Sequence, residues 1–162
     1  MMSDACQNCF LHETSGQCQQ YCDTRFKVVI KEPKSTTWTF ENNYGKCVCL
    51  IRIDGCMISR SETRKCDYLF LVCDEHEKSA FFIELKGKNL EEAFKQILST
   101  VEKLKGYLTG FCLYARIAIT RVPNILSAGA QKREKDIAKL LQREGCSRKK
   151  LDYQKSNTSE SM

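Results

Sequence analysis

The sequence predicts an α/β fold, a mixed central sheet flanked by helices, on a chain of 162 residues with a cysteine-rich N-terminal extension. Three observations predict it. Apolar residues alternate with polar ones in short runs that end at turn formers, which is the pattern of strands. Two longer segments repeat their apolar residues at helical spacing and are interleaved with the later strands. The hydrophobic content, 42% over this length, fills one compact core and not two full-sized domains. The chain therefore divides into a cysteine-rich segment over residues 1–25, one α/β domain over 26–146 and a polar tail over 147–162, expected to be disordered.

Residues 1–25 show neither period, so order there requires an outside tie. From Arg25 onward Phe26, Val28 and Ile30 alternate with Lys27, Val29 and Lys31 until Pro33 ends the run, and residues 38–40 predict another short strand. Residues 47–53 are apolar and β-branched. The Asp54-Gly55 pair after them is a hairpin signal, with residues 56–58 as the returning strand. Residues 68–73 and 80–85 read as two more strands, joined by the charged turn Asp74-Glu75-His76-Glu77-Lys78. A helix is predicted from Asn89, whose side chain caps the first turn with Glu92 three residues on. Its stripe is Leu90, Ala93, Phe94, Ile97, Leu98, Val101 and Leu104, and Gly106 closes it. Residues 111–120 form a strand broken by Pro123. Residues 130–144 form a second helix with Ile137, Leu140 and Leu141 as contacts, stopped by Gly145.

The net charge is +6, and the stretch from Ala128 onward, with nine basic and five acidic residues, holds +4 of it. A basic end of this kind neutralises phosphates, although a solvated helix face with a polar tail explains it equally well. No apolar run approaches the roughly 20 residues of a membrane span, and the N-terminus lacks a signal-peptide core, so a soluble, cytoplasmic protein without a membrane partner is expected. Eleven cysteines are then expected as reduced thiols or metal ligands rather than as a disulfide framework. Cys6, Cys9, Cys18 and Cys22 suffice for a tetrahedral zinc site, with His12 as an alternative ligand and unligated thiols as the other reading. Such a zinc would be structural, supplying folding free energy to a segment poor in apolar residues. Cys47, Cys49, Cys56, Cys66, Cys73 and Cys112 lie in apolar runs and are assigned to the core. His12 and His76 sit in polar loops with no nucleophile in view, and no glycine motif for nucleotides appears.

On the strand ending at Lys86, Glu84 and Lys86 share one face while Ile83 and Leu85 take the other. Asp67 opens the preceding strand, so its carboxylate is expected to approach Glu84 across the ladder. Two converging carboxylates offer oxygen ligands to Mg²⁺ or Mn²⁺, and an ammonium beside them orients water or offsets charge at phosphorus. Asp54 is a competing carboxylate, but its place before Gly55 is explained by the turn alone.

Asp67 in Lys65-Cys66-Asp67-Tyr68-Leu69, followed by Glu84-Leu85-Lys86-Gly87, resembles the PD-(D/E)XK nuclease superfamily, over about residues 47–121. The resemblance implies a restriction-endonuclease-like core in which Asp67 and Glu84 hold the metal and Lys86 assists. Many members carry a glutamine near the site on the next helix, and Gln96 matches it, about 60° round the helix from Ala93 on the border of the apolar stripe. Cys66 stands where the family name records a proline, which has no chemical role. The acidic residue many members carry on a first helix has no clear equivalent, Glu32 and Glu41 being the candidates. The expected function is a Mg²⁺-dependent endonuclease acting on DNA, as a homodimer if both strands are cut. The alternative is a catalytically inactive module of the same fold that binds nucleic acid or a protein partner.

Overall fold

In a computed structural model of the chain, the described residues are 17–32, 36–59, 63–155 and 158–161. The strands are β1 (Gln19–Asp23), β2 (Lys27–Lys31), β3 (Thr37–Glu41), β4 (Cys47–Arg52), β5 (Tyr68–Cys73), β6 (Lys78–Lys86), β7 (Cys112–Ile119), β8 (Leu151–Lys155) and β9 (Thr158–Ser161); the helices are α1 (Leu90–Leu104) and α2 (Ala128–Leu140). A mixed six-stranded sheet runs β1-β4-β5-β6-β7-β8, and a three-stranded sheet runs β2-β3-β9. In the larger sheet the pairs from β1 to β6 are antiparallel, whereas β6, β7 and β8 are parallel neighbours. The parallel pairs are the ones whose connections contain α1 and α2, because a parallel return needs a crossover long enough to hold a helix.

The α/β class and the mixed sheet hold, but the helices cover one face only. Alternation along each strand sorts the core into two slabs. Cys49, Ile51, Leu69, Leu71, Ala80, Phe82, Leu113, Ala115 and Ile117 face α1 and α2. Val48, Leu50, Phe70, Val72, Phe81, Ile83, Leu85 and Tyr114 face the other way, onto Val28, Ile30, Trp38 and Phe40 of the small sheet. There Trp38, Phe40, Phe70 and Phe81 pack with ring centroids 5.0 to 6.2 Å apart, in offset and edge-on arrangements that suit the ring quadrupoles. The large sheet is thus buried on both sides, which explains why β4 to β7 read as near-continuous apolar runs.

Three expectations are corrected. The segment over residues 1–25, read as patternless, contains β1, an edge strand paired with β4. The tail beyond residue 147, expected to be disordered, supplies β8 and β9, one to each sheet. The Asp54-Gly55 signal does make a turn, with Gly55 at φ 74°, where a side chain would be strained. Its follow-up at residues 56–58 is no strand, and β4 pairs instead with β5.

The cysteine reading changes as well. Cys18 is bonded to Cys56, Cys22 to Cys49 and Cys112 to Cys146. Cys22 and Cys49 stand directly opposite in the β1–β4 ladder, and Cys18 lies just ahead of β1, so the pairing of that edge strand brings the sulfurs together. A four-cysteine zinc set is therefore not assembled at Cys18 and Cys22, while Cys6, Cys9 and His12 lie outside the described residues. The expectation of reduced thiols or metal ligands rather than disulfides is thereby corrected for these six cysteines. Among the described residues, no helix is long and apolar enough to cross a membrane.

Candidate active site

β5 and β6 pair with Tyr68 opposite Ile83, so the residue before β5, Asp67, falls beside Glu84. Two hydrogen bonds lock this junction: the Asp67 amide donates to the Ile83 carbonyl at 3.1 Å, and the Leu85 amide donates to Asp67 Oδ2 at 2.7 Å. Glu84 and Lys86 share the helix-facing side of β6, with Lys86 Nζ 3.6 Å from Glu84 Oε1. Gln96 of α1 accepts a 2.6 Å hydrogen bond from Lys86 Nζ and donates through Nε2 to the Lys65 carbonyl at 3.1 Å. Asp67, Glu84, Lys86 and Gln96 therefore lie in one place.

Burial dominates the electrostatics. Glu84 is 1% exposed, and its carboxyl pKa is pushed up to about 9, first by burial and then by the negative charge of Asp67, against the pull of Lys86. Asp67, half-buried, is raised to about 6, again first by burial; the Leu85 amide opposes this, and Glu32 and Asp54 add to it. Glu84 Oε2 is buried and has no hydrogen-bond partner among the described residues. A buried carboxylate oxygen without a donor is costly. Two such acids side by side are stabilised as anions only if positive charge joins them. Hard oxygen donors of this kind fit Mg²⁺ or Mn²⁺, which take one or two carboxylates and complete the shell with water. The residues present thus fit a divalent cation.

Sequence reasoning missed what holds Asp67. Thr100, one turn beyond Gln96 on α1, accepts a 2.7 Å hydrogen bond from the buried Cys66 amide and donates to the Gln96 carbonyl at 2.8 Å. With the Gln96 bond to Lys65, α1 grips two consecutive residues ahead of Asp67. The signal was a threonine on the apolar stripe, three residues after Ile97, where a plain core position was the easier reading. From the other side, the Ile53 and Asp54 amides donate to the Asp67 carbonyl at 2.9 and 3.4 Å. Asp54 itself pairs with Lys65 at 3.5 Å, so the competing carboxylate lies close by without replacing Asp67. Of the two acids weighed for the missing position, Glu32 lies close enough to raise Asp67, whereas Glu41 stands across from Lys27 on β3.

The basic C-terminal stretch is largely engaged within the chain. Arg143 donates to the carbonyls of Lys105, Leu108 and Phe111 beyond α1. Arg148 pairs with Glu160, Lys149 with Asp152, and Lys150 donates to Cys146. Lys132, Lys135 and Lys139 on α2 are exposed.

Comparison with known protein families, curated proteins and solved structures finds no match to this chain.

Proposed function

We propose that the chain is a metal-dependent nuclease that hydrolyses phosphodiester bonds in DNA. One observation carries the reading: the Glu84 oxygen that has no partner among the described residues, buried beside Asp67, with the Lys86 ammonium 3.6 Å from the other oxygen of Glu84. Asp67 and Glu84 would hold Mg²⁺ or Mn²⁺, and the bound ion would polarise a phosphoryl oxygen and acidify water. The chain's own groups divide the remaining work. Asp67 has Oδ2 committed to the Leu85 amide, which fixes its rotamer and leaves Oδ1 as the ligating oxygen. Gln96 holds Lys86 by its ammonium, so the charge is preorganised where negative charge develops on the phosphorus oxygens. Exposed Lys132, Lys135 and Lys139 supply sequence-independent attraction for a polyanion. Two copies would be needed for a double-strand break, one active site cutting each strand.

Incubating the full chain with supercoiled plasmid and Mg²⁺ or Mn²⁺ should nick it, and a chelator should stop the reaction. Glu84→Ala and Lys86→Ala should each lower the rate by at least about 100-fold, as loss of a group that stabilises developing charge does elsewhere. Undiminished cleavage in both variants sinks the assignment. Metal-independent DNA binding with no cleavage of duplex, branched or single-stranded substrates would make the chain a binding module instead.

A further inference from the structure

At the far end of β5 from Asp67 a second constellation of ligands lies on the helix-facing side of the sheet. Cys22 on β1 and Cys47 and Cys49 on β4 bring their three sulfurs within 4.8 Å of one another. Cys47 and Cys49 are two apart on one strand and so share a face, and Cys22 is the register partner of Cys49. Cys73 on β5 is the register partner of Cys47, on the same face.

We infer that, once the Cys22–Cys49 bond is reduced, this cluster binds a thiophilic divalent cation of the Zn²⁺ type, drawing in Cys73, which lies outside the three-sulfur group in the oxidised chain, as the fourth ligand. The first support is a distance. Sulfurs bound to tetrahedral zinc at about 2.3 Å lie about 3.8 Å from each other. Cys22 Sγ and Cys47 Sγ lie 3.7 Å apart, a sulfur hydrogen-bond contact at the spacing of two zinc ligands. A second support is access. Cys47 and Cys73 are among the residues lining a cleft of about 280 Å³ with Lys46, Asp74 and Glu75, which opens beside the cluster at this end of the sheet. The Lys46 ammonium at its mouth, 2.7 Å from Asp74, moderates the negative charge of a four-thiolate complex.

The chemistry balances with a dithiol as reductant. Its two thiols deliver two electrons and two protons to the Cys22–Cys49 bond, forming its own cyclic disulfide and leaving two cysteine thiols. The cation then displaces the thiol protons to solvent. In the oxidised chain Cys22 and Cys49 carry no thiolate, so the site exists in one redox state only. Its role is structural: it ties the short edge strand β1, with its few apolar contacts, to β4 and β5.

The test uses the full chain, reduced anaerobically with a dithiol that is then removed, with Co²⁺ as the probe. One equivalent should give the intense visible absorption of tetrahedral thiolate coordination, and Zn²⁺ should displace it. Cys47→Ser and Cys22→Ser should each weaken binding by more than roughly 100-fold, beyond what losing a group behind the ligands costs. Far-ultraviolet circular dichroism checks that both variants are folded, and Cys22 is the safer substitution because it lies on the edge strand. The double variant Cys6→Ser/Cys9→Ser should bind as the parent does, and the unreduced chain should not show the absorption. No thiolate absorption in the reduced, folded chain overturns the inference. So does unchanged affinity in the Cys47 and Cys22 variants, loss of binding in the Cys6/Cys9 double variant, or equal binding by the oxidised chain.

Discussion

Glu84 is the residue on which chemistry and stability pull in opposite directions. Its folded-state pKa of about 9 lies above the ordinary 4.5, so the folded chain holds this proton more tightly than the unfolded chain does. The stability Glu84 contributes is complete below about pH 4.5 and is lost as pH rises toward 9. Asp67 adds the same sign between 3.8 and about 6. Asp74, lowered to about 2 by Lys46 and two backbone amides, acts oppositely but only below pH 4. In urea unfolding the metal-free chain should therefore be more stable at pH 5.5 than at pH 8.5, and Glu84→Gln should flatten most of that slope while abolishing Mn²⁺ binding. A parent whose stability is level across this range, or a variant with the parental slope, would show that Glu84 does not titrate as a buried acid. Added Mn²⁺ should reverse the trend, because a cation that binds the two anions gains from their ionisation.

The elements around Glu84 explain how much of the site could be read in advance. Strand parity fixed Glu84 and Lys86 on one face, and a helical wheel put Gln96 at the edge of the apolar stripe, where it now bonds to both Lys86 and Lys65. Both are local rules of period two and 3.6, and they survive any tertiary context. Asp67 required a guess at strand pairing, and the β5–β6 hairpin supplied it. Two strands of the small sheet, β2 and β3, were legible, but its third was not, because β9 reaches β3 from the other end of the chain with no local signal to mark it. The disulfides escaped for the same reason: Cys22 and Cys49 meet only through the β1–β4 ladder. Thr100 offers the test at this scale. Thr100→Val keeps the shape but removes the acceptor for the buried Cys66 amide, which should cost about 1–3 kcal/mol. It should also weaken Mn²⁺ binding, since the segment leading to Asp67 loses its anchor. Asn89→Ala is the control: it removes the cap on the Glu92 amide, should cost about 1 kcal/mol, and should leave metal affinity as it was. Equal effects of the two on Mn²⁺ affinity would mean that Thr100 acts on stability alone.

The whole molecule is a three-layer sandwich in which the last two strands of the chain each close one edge of a sheet. β8 closes one edge of the large sheet and β9 one edge of the small sheet, so the C-terminal stretch joins layers whose other strands were complete by residue 119. The junction is a single charge network. Arg116, 6% exposed on β7 and facing the small sheet, makes a two-pronged contact with Glu160 of β9 at 2.6 and 2.8 Å, and Arg148 adds a third bond at 3.2 Å. The Arg116 guanidinium also lies 5.3 Å from the Phe81 ring centroid and 5.5 Å from that of Tyr114, at the border of the aromatic slab. Removing the carboxylate leaves that guanidinium under the sandwich hydrogen-bonded, among the described residues, only to backbone carbonyls. Breaking a fully buried pair costs about 3–5 kcal/mol, and the cleft beside Arg116 admits some water, so Glu160→Ala should cost roughly 2 kcal/mol or more. Arg116→Met should be far less harmful than Glu160→Ala, because a thioether of similar length fills the space without an orphan charge. The double variant should then resemble Arg116→Met alone, a non-additivity that only direct contact produces. A Glu160→Ala variant as stable as its parent would mean that β9 does not hold the two sheets together in solution, and the small sheet would rest on its aromatic packing alone.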